Sequence, residues 1–393
     1  MVKVDFGFSQ EEDAFRKSVR EWVDAKYPKP KANALERRED HDGSNFPHEL
    51  WKDMADAGFF GIGIDPEWGG QSGGAMIQVI MMEELARNLA GLTWLWGIQS
   101  FNAKSIQKFG STDLKREILP SLVDGTIRTA IAATEPSGGT DLLGSMVTRA
   151  VPDGEGYRIT GSKVWSTLSH VADYLLLLAT TKENTEKPAL GKTLFLLDTK
   201  QDGIEIRTIP KLGMRAVASC EVFLDGAYVP DTHVIGEVDR GFYHMLTTLN
   251  NERILVAAMC LGVLRGVIED AVAHAKHRIA WGKPIGQLQT IQTYIADMQI
   301  GLQQAELLTY RAAWMYDQGL DCGIESSVAK AKASEYAVEA ADHGIQILGG
   351  MGYSAEFDMQ RYWRDVRIQR IGPITNEMVR NLVAESLGLP RSF

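Results

Sequence analysis

The apolar pattern of the chain changes period twice, and that change constrains its architecture more than any single motif. From Phe8 to about Gly125 the spacing is helical. Ser9 and Glu12 are placed as a capping box, and Phe15, Val19, Trp22 and Val23 follow at helical intervals. The glycine-broken stretch PEWGGQSGGAM then gives way to VIMMEELARNLAG, a helix apolar enough to be buried on several sides. Between about Thr129 and Glu237 the texture becomes β-rich. YRITG, YLLLLATT, TLFLLDT, IEIRTI and CEVFLDGAYVP are separated by turn residues, with Pro188 and Gly191 marking one loop. Several short strands in succession predict a sandwich or barrel, not βαβ units. From Gly241 helix returns. Leu255, Met259, Val263, Val267 and Ala271 recur every fourth residue, and Gly262 and Gly266 leave room for a close neighbour. Two further long helical patterns, about Thr290–Gln318 and Ser326–Leu348, imply a bundle. The expected class is α+β, with domains at 1–128, 129–238 and 239–393.

Composition narrows the function. A formal net charge of −10 provides no basic footprint for nucleic acid and makes an anionic membrane surface a poor partner. An anionic ligand must then be held by local cations, helix N-termini and backbone amides. Cys220, Cys260 and Cys322 are sparse and fit no metal-ligand spacing, so no metal is expected and the thiols are read as buried small hydrophobes in a reducing compartment. The opening MVKVDFGFSQEEDAF lacks a signal-peptide core, and no stretch approaches the roughly 18 apolar residues of a membrane span. A cytoplasmic protein is expected.

Six segments carry chemistry. They are TEPSGGTD (Thr134–Asp141), GSKVWST (Gly161–Thr167), KLGMR (Lys211–Arg215), Val229-Pro230, RIAWGKP (Arg278–Pro284) with Gln289, and QILGGMGY (Gln346–Tyr353). A glycine-rich turn with hydroxyls is by itself most often only a turn, and a lone tryptophan most often core. GSKVWST reads as lying just past a strand-turn-strand unit.

In this order and spacing the six segments resemble the acyl-CoA dehydrogenase family, and the likeness runs over nearly the whole chain. It implies an N-terminal helical domain, a middle β-barrel or sandwich, a C-terminal four-helix bundle and bound FAD. On this resemblance Thr134 meets the flavin pyrimidine edge, Trp165 covers the flavin, Thr167 lies near its N5, and Thr140 meets the pyrophosphate. Arg278 and Trp281 match residues that reach the FAD of a neighbouring subunit, and Gln289 is a cofactor-binding candidate of the same segment. Gln346 and Gly350 match contacts to its adenosine diphosphate part, and Thr375 and Glu377 match the nucleotide-contacting segment near the C-terminus. Ala280 stands where several members have threonine, which removes one phosphate contact.

The family reaction needs a base for the α-proton of an acyl thioester while the flavin takes hydride from the β-carbon. Many relatives carry that glutamate near the C-terminus, but aligning here on Thr375 puts Pro373 in its place. Isovaleryl-CoA and long-chain dehydrogenases carry it on an earlier helix, before an arginine. Asn250-Asn251-Glu252-Arg253 matches that segment, which makes Glu252 the candidate base and Arg253 its substrate-side neighbour. Against this stands the plain reading of a solvated helix glutamate. The resemblance further implies a homotetramer and an electron-transfer flavoprotein as acceptor. Two alternatives stay open: a carrier-protein-bound acyl substrate, and an FAD-free scaffold. The pocket floor is expected around Met81–Ala90 and Leu92–Gln99, where Trp94 and Trp96 either shape the pocket or pack the core. No arginine follows at Gly91–Trp94 to hold a second carboxylate.

Overall fold

The computed structural model describes residues 7–37, 46–183 and 186–391; the first six residues, read above for a targeting signal, lie outside that range. Six helices open the chain: α1 (Gln10–Lys26), α2 (Lys29–Glu36), α3 (His48–Asp56), α4 (Ala75–Leu89), α5 (Trp94–Phe109) and α6 (Thr112–Val123). Seven strands follow: β1 (Thr129–Ala132), β2 (Arg149–Pro152), β3 (Gly156–Thr167), β4 (Tyr174–Thr180), β5 (Lys192–Asp198), β6 (Ile204–Ile209) and β7 (Ser219–Pro230). The long α7 (Gly241–His277) leads to a two-stranded hairpin, β8 (Ile279–Ala280) and β9 (Lys283–Pro284). Then come α8 (Gln289–Asp317), α9 (Gly323–Leu348), the short α10 (Gly350–Tyr353), α11 (Met359–Arg367) and α12 (Asn376–Ser386). The architecture is a helical N-terminal domain, a middle sheet domain and a helical C-terminal domain.

Spatially the chain resolves into two compact units that do not follow sequence order. One unit comprises Met1–Arg37, Gly74–Thr93 and Arg253–Phe393, the other Arg38–Gly73 and Trp94–Glu252.

In the second unit the strands join in one hydrogen-bonded sheet of order β1-β4-β2-β3-β7-β6, with β5 branching from β4. The expected sandwich or barrel therefore takes the form of a single branched sheet. YLLLLAT and KTLFLLD become β4 and β5, buried nearly end to end, because helices cover them. Phe101 and Ile106 of α5 and Ile118 and Leu122 of α6 share a core with Leu176, Leu178, Leu194 and Leu196. The sequence pattern did not announce β1 or β2, each only four residues long.

In the first unit the organising element is α4. Ser9 and Glu12 do form the capping box of α1. Gly262 and Gly266 meet α4 where no side chain fits: a Cβ on Gly262 would lie 2.2 Å from the Glu83 carbonyl oxygen, and one on Gly266 2.7 Å from that of Arg87. Side chains from the C-terminal helices cap both ends of α4. The Asp317 carboxylate accepts from the backbone N–H groups of Ala75 and Met76, at 2.5 and 3.0 Å. The buried Arg361 guanidinium donates to the carbonyls of Asn88 and Leu89, at 2.7 and 3.2 Å. An anion at the N-terminus and a cation at the C-terminus both complement the helix dipole. Glu83, fully buried in mid-helix, is offset by Arg16 and Arg265 and accepts from the Tyr310 hydroxyl at 2.8 Å. That pairing is what a buried carboxylate requires.

Candidate active site

The TEPSGGTD turn leaves β1 and is tied to β3 by Val164, whose N–H donates to the Thr134 carbonyl at 2.9 Å. Beneath it lies a charge pair that the sequence reading missed. Lys163 Nζ sits 2.8 Å from Glu135 Oε1, and both side chains are buried. The Lys163 ammonium also donates to the Ala133 carbonyl at 3.1 Å. The Glu135 carboxylate further accepts from the N–H groups of Val147 and Thr148, at 2.7 and 3.0 Å. The pair thus clamps both ends of the glycine-rich loop to the strand that carries Trp165. Burial pushes the Lys163 ammonium down to about 8. Burial would raise the Glu135 carboxyl, but the Lys163 charge and the two N–H donors hold it below its ordinary range. Each charge sits inside one of the motif segments, but nothing in the sequence pairs them.

GSKVWST is not past a strand but forms the second half of β3, a correction to the expected placement. Register with β7 slips between Lys163 and Ser166, a bulge that frees Trp165 from strand alternation. Trp165 takes φ 60°, in the left-handed region that side chains rarely adopt, and the residue is 58% exposed. Backbone placed so costs about 1–3 kcal/mol, and such strain tends to mark function. Ser166 turns inward and donates to the Ile131 carbonyl at 2.5 Å. Thr134 and Thr167 are half-buried, and Thr140 is exposed. Gly139, at φ 80°, has nothing within 4 Å of where a Cβ would stand. An exposed indole plate, two hydroxyls at strand ends and an open glycine turn fit a planar ring with polar edges and an anionic tail. These residues suit FAD.

The remaining cofactor candidates belong to the other unit and, the half-buried Thr375 apart, are exposed. Trp281 and Gly282 form the β8–β9 turn at φ 50° and 76°, the left-handed pair of a tight hairpin. Trp281 is 86% exposed, and Arg278 and Gln289 are exposed beside it in sequence. Gln346 lies exposed in the last turn of α9, and Gly349 and Gly350 both face open space. Thr375 is the N-cap of α12, its Oγ1 accepting from the Met378 N–H at 3.1 Å, with Glu377 exposed in the first turn. Buried Lys330 steadies this loop by donating to the Ile374 carbonyl at 2.5 Å and to Asn376 Oδ1 at 3.1 Å.

Glu252 and Arg253 lie within α7, both half-buried; Glu252 ends one unit and Arg253 begins the other. Next to Glu252, the buried Asn251 accepts from Lys104 Nζ at 2.6 Å. One turn earlier Thr248 faces Ser105 of α5, their hydroxyls 3.4 Å apart. A polar seam thus runs between α5 and the turn of α7 that carries Glu252. Trp96 belongs to the core: it is fully buried and donates from Nε1 to the Phe59 carbonyl at 2.9 Å. Among the described residues no helix is long and apolar enough to cross a membrane.

Comparison with known proteins identifies the family. The acyl-CoA dehydrogenase N-terminal, middle and C-terminal domains match residues 9–126, 130–227 and 239–388. The chain belongs to the acyl-CoA dehydrogenase family. It is a flavin-dependent oxidoreductase, and its cofactor is FAD. It is 35% identical to the benzylmalonyl-CoA dehydrogenase of Aromatoleum aromaticum, over 98% of this chain and 100% of that one. Among solved structures it resembles PigA with FAD and proline, at TM-score 0.92 and 29% identity, over 98% of this chain and 100% of that one. A chain in the structure of the electron transferring flavoprotein of Acidaminococcus fermentans matches at TM-score 0.91 and 28% identity, over 98% of this chain and 99% of that one.

Proposed function

We propose that this enzyme oxidises the Cα–Cβ bond of an acyl-CoA thioester to the trans-2-enoyl-CoA, with Glu252 as the base. The observation that carries the assignment is the pairing of a proline at 373, which has no titratable group, with a half-buried carboxylate at 252 beside a buried polar seam. Glu252 takes the α-proton, and Arg253 lies next to it toward the substrate. Bound FAD supplies the acceptor, at its N5, for the hydride leaving the β-carbon, so the single bond becomes double as two electrons leave the substrate. Thr134 and Thr167 present hydroxyls to the polar edge of the ring, Trp165 covers it and excludes water, and Thr140 meets the pyrophosphate.

Arg278, Trp281, Gln346 and Gly350 reach the FAD of a neighbouring copy in a homotetramer, and Gln289, Thr375 and Glu377 complete the cofactor site. The exposure of Arg278, Trp281, Gln346 and Gly350 supports this, as does an apolar stripe on α8. Ile300, Leu307 and Trp314, seven residues apart, are each more than half exposed and would be covered by a second copy. The three buried free cysteines accord with a cytoplasmic setting. An electron-transfer flavoprotein is the acceptor we favour, in line with the Acidaminococcus likeness.

A panel of straight, branched and aryl-substituted acyl-CoA thioesters, mixed anaerobically with the FAD-loaded enzyme, tests the activity. The expected result is bleaching of the flavin band by at least one member, with the enoyl-CoA as product. A flavin that stays oxidised with every thioester would rule the proposal out.

A further inference from the structure

The hydroxyl of Thr167 stands at the end of a hydrogen-bond chain. Thr167 closes β3 and lies directly opposite Ser219, the first residue of β7, with their Oγ atoms 3.2 Å apart. Ser219, itself buried, accepts from Lys211 Nζ at 3.0 Å. The same ammonium donates to the Val217 carbonyl at 2.5 Å, which fixes it under the loop between β6 and β7.

We propose that Lys211 and Ser219 are positioning residues that set the Thr167 hydroxyl as a hydrogen-bond donor toward the bound cofactor. The argument is one of proton direction. An ammonium has donors and no acceptor, so Ser219 must accept from it. Ser219 has one hydroxyl proton left, and Thr167 Oγ1, 3.2 Å across the strand pair, is placed to take it, either oxygen being able to donate in that pair. With the bond in that sense, Thr167 turns its own proton elsewhere. Its internal alternative, the Trp165 carbonyl, is 3.5 Å away, at the outer limit for such a bond. The proton is therefore offered to an acceptor outside the strand, and an oxidised flavin ring presents such atoms on its polar edge. A charged first donor strengthens each later link. KLGMR, which the site otherwise leaves without a role, then supplies the cation that starts the chain.

This inference rests on Thr167 contacting the cofactor, and a double-mutant cycle separates the two claims. The readouts are FAD affinity of the apoenzyme and the position of the visible flavin band. Ser219→Ala and Lys211→Met should each weaken FAD binding by about three- to tenfold, the worth of one hydrogen bond, and shift the band. Ser219→Thr should behave as wild type. In a Thr167→Ala background neither change should have further effect. If Ser219→Ala leaves both readouts unmoved, or if its effect persists without the Thr167 hydroxyl, the relay is wrong. If Thr167→Ala itself moves neither readout, the placement of Thr167 at the cofactor fails first. Should Ser219→Ala not fold, Lys211→Met completes the same cycle.

Discussion

Two sets of cofactor-binding candidates are built in opposite ways. Thr134, Trp165 and Thr167 are anchored from within: a buried ion pair lies beneath the loop, a bulge presents the indole, and a hydrogen-bond chain backs the last hydroxyl. Arg278 and Trp281 flank and tip a short hairpin, and Gln346 and Gly350 stand at a helix end; all four face outward. The first construction is what a ring needs to be held in register with a reacting carbon, since catalysis depends on placement. The second suits residues whose partner lies outside their own chain. Position in the fold thus separates two tasks that look alike in the sequence.

The contrast can be broken by mutation. Lys163→Met leaves Glu135 buried without its cation, which should cost about 3–5 kcal/mol of stability. Urea unfolding of the apoenzyme measures it, and replacing Glu135 by Leu in the same chain should recover most of the loss. A Lys163→Met variant as stable as wild type would contradict the clamp. Lys330→Met strips the Ile374 carbonyl and Asn376 of a charged donor, with a smaller expected cost of about 1–3 kcal/mol; its thermal midpoint should fall accordingly. Trp281→Ala sits at the other extreme. Apoenzyme stability should change by no more than about 0.5 kcal/mol, as for other exposed sites, while FAD affinity of the assembled enzyme drops. A fall in stability without a fall in affinity would reverse its assigned task.

The smallest effect is in pH. The Glu135 carboxyl is held low in the folded state, so the unfolded chain binds its proton first as pH falls. The stabilisation is complete above the ordinary carboxyl range and is lost as pH drops through the lower folded value. Acid titration of apoenzyme stability should show this limb, and Glu135→Gln should flatten it.

Much of this was legible beforehand because it rests on periodicity. The α-β-α order, the capping box of α1 and the close approach at Gly262 and Gly266 follow from spacing that a sequence displays directly. β1 and β2 were not legible, because four residues carry too little alternation to count as a strand. Trp165 was misplaced for a different reason. Its position depends on a bulge and a left-handed backbone, and nothing in GSKVWST marks either. The partners of Lys163 and Lys211 were hidden because a lysine in a strand or loop reads as a solvated cation. Only the fold brings Glu135 and Ser219 beside them.

The assignment of Glu252 is the centre of the account, and one rate tests it. Wild-type enzyme and Glu252→Gln, both loaded with FAD, are mixed anaerobically with an acyl-CoA that bleaches the wild type. The account predicts that the variant binds FAD as tightly as wild type and that its flavin reduces slower by orders of magnitude. A variant that bleaches at the wild-type rate would show that the α-proton goes elsewhere.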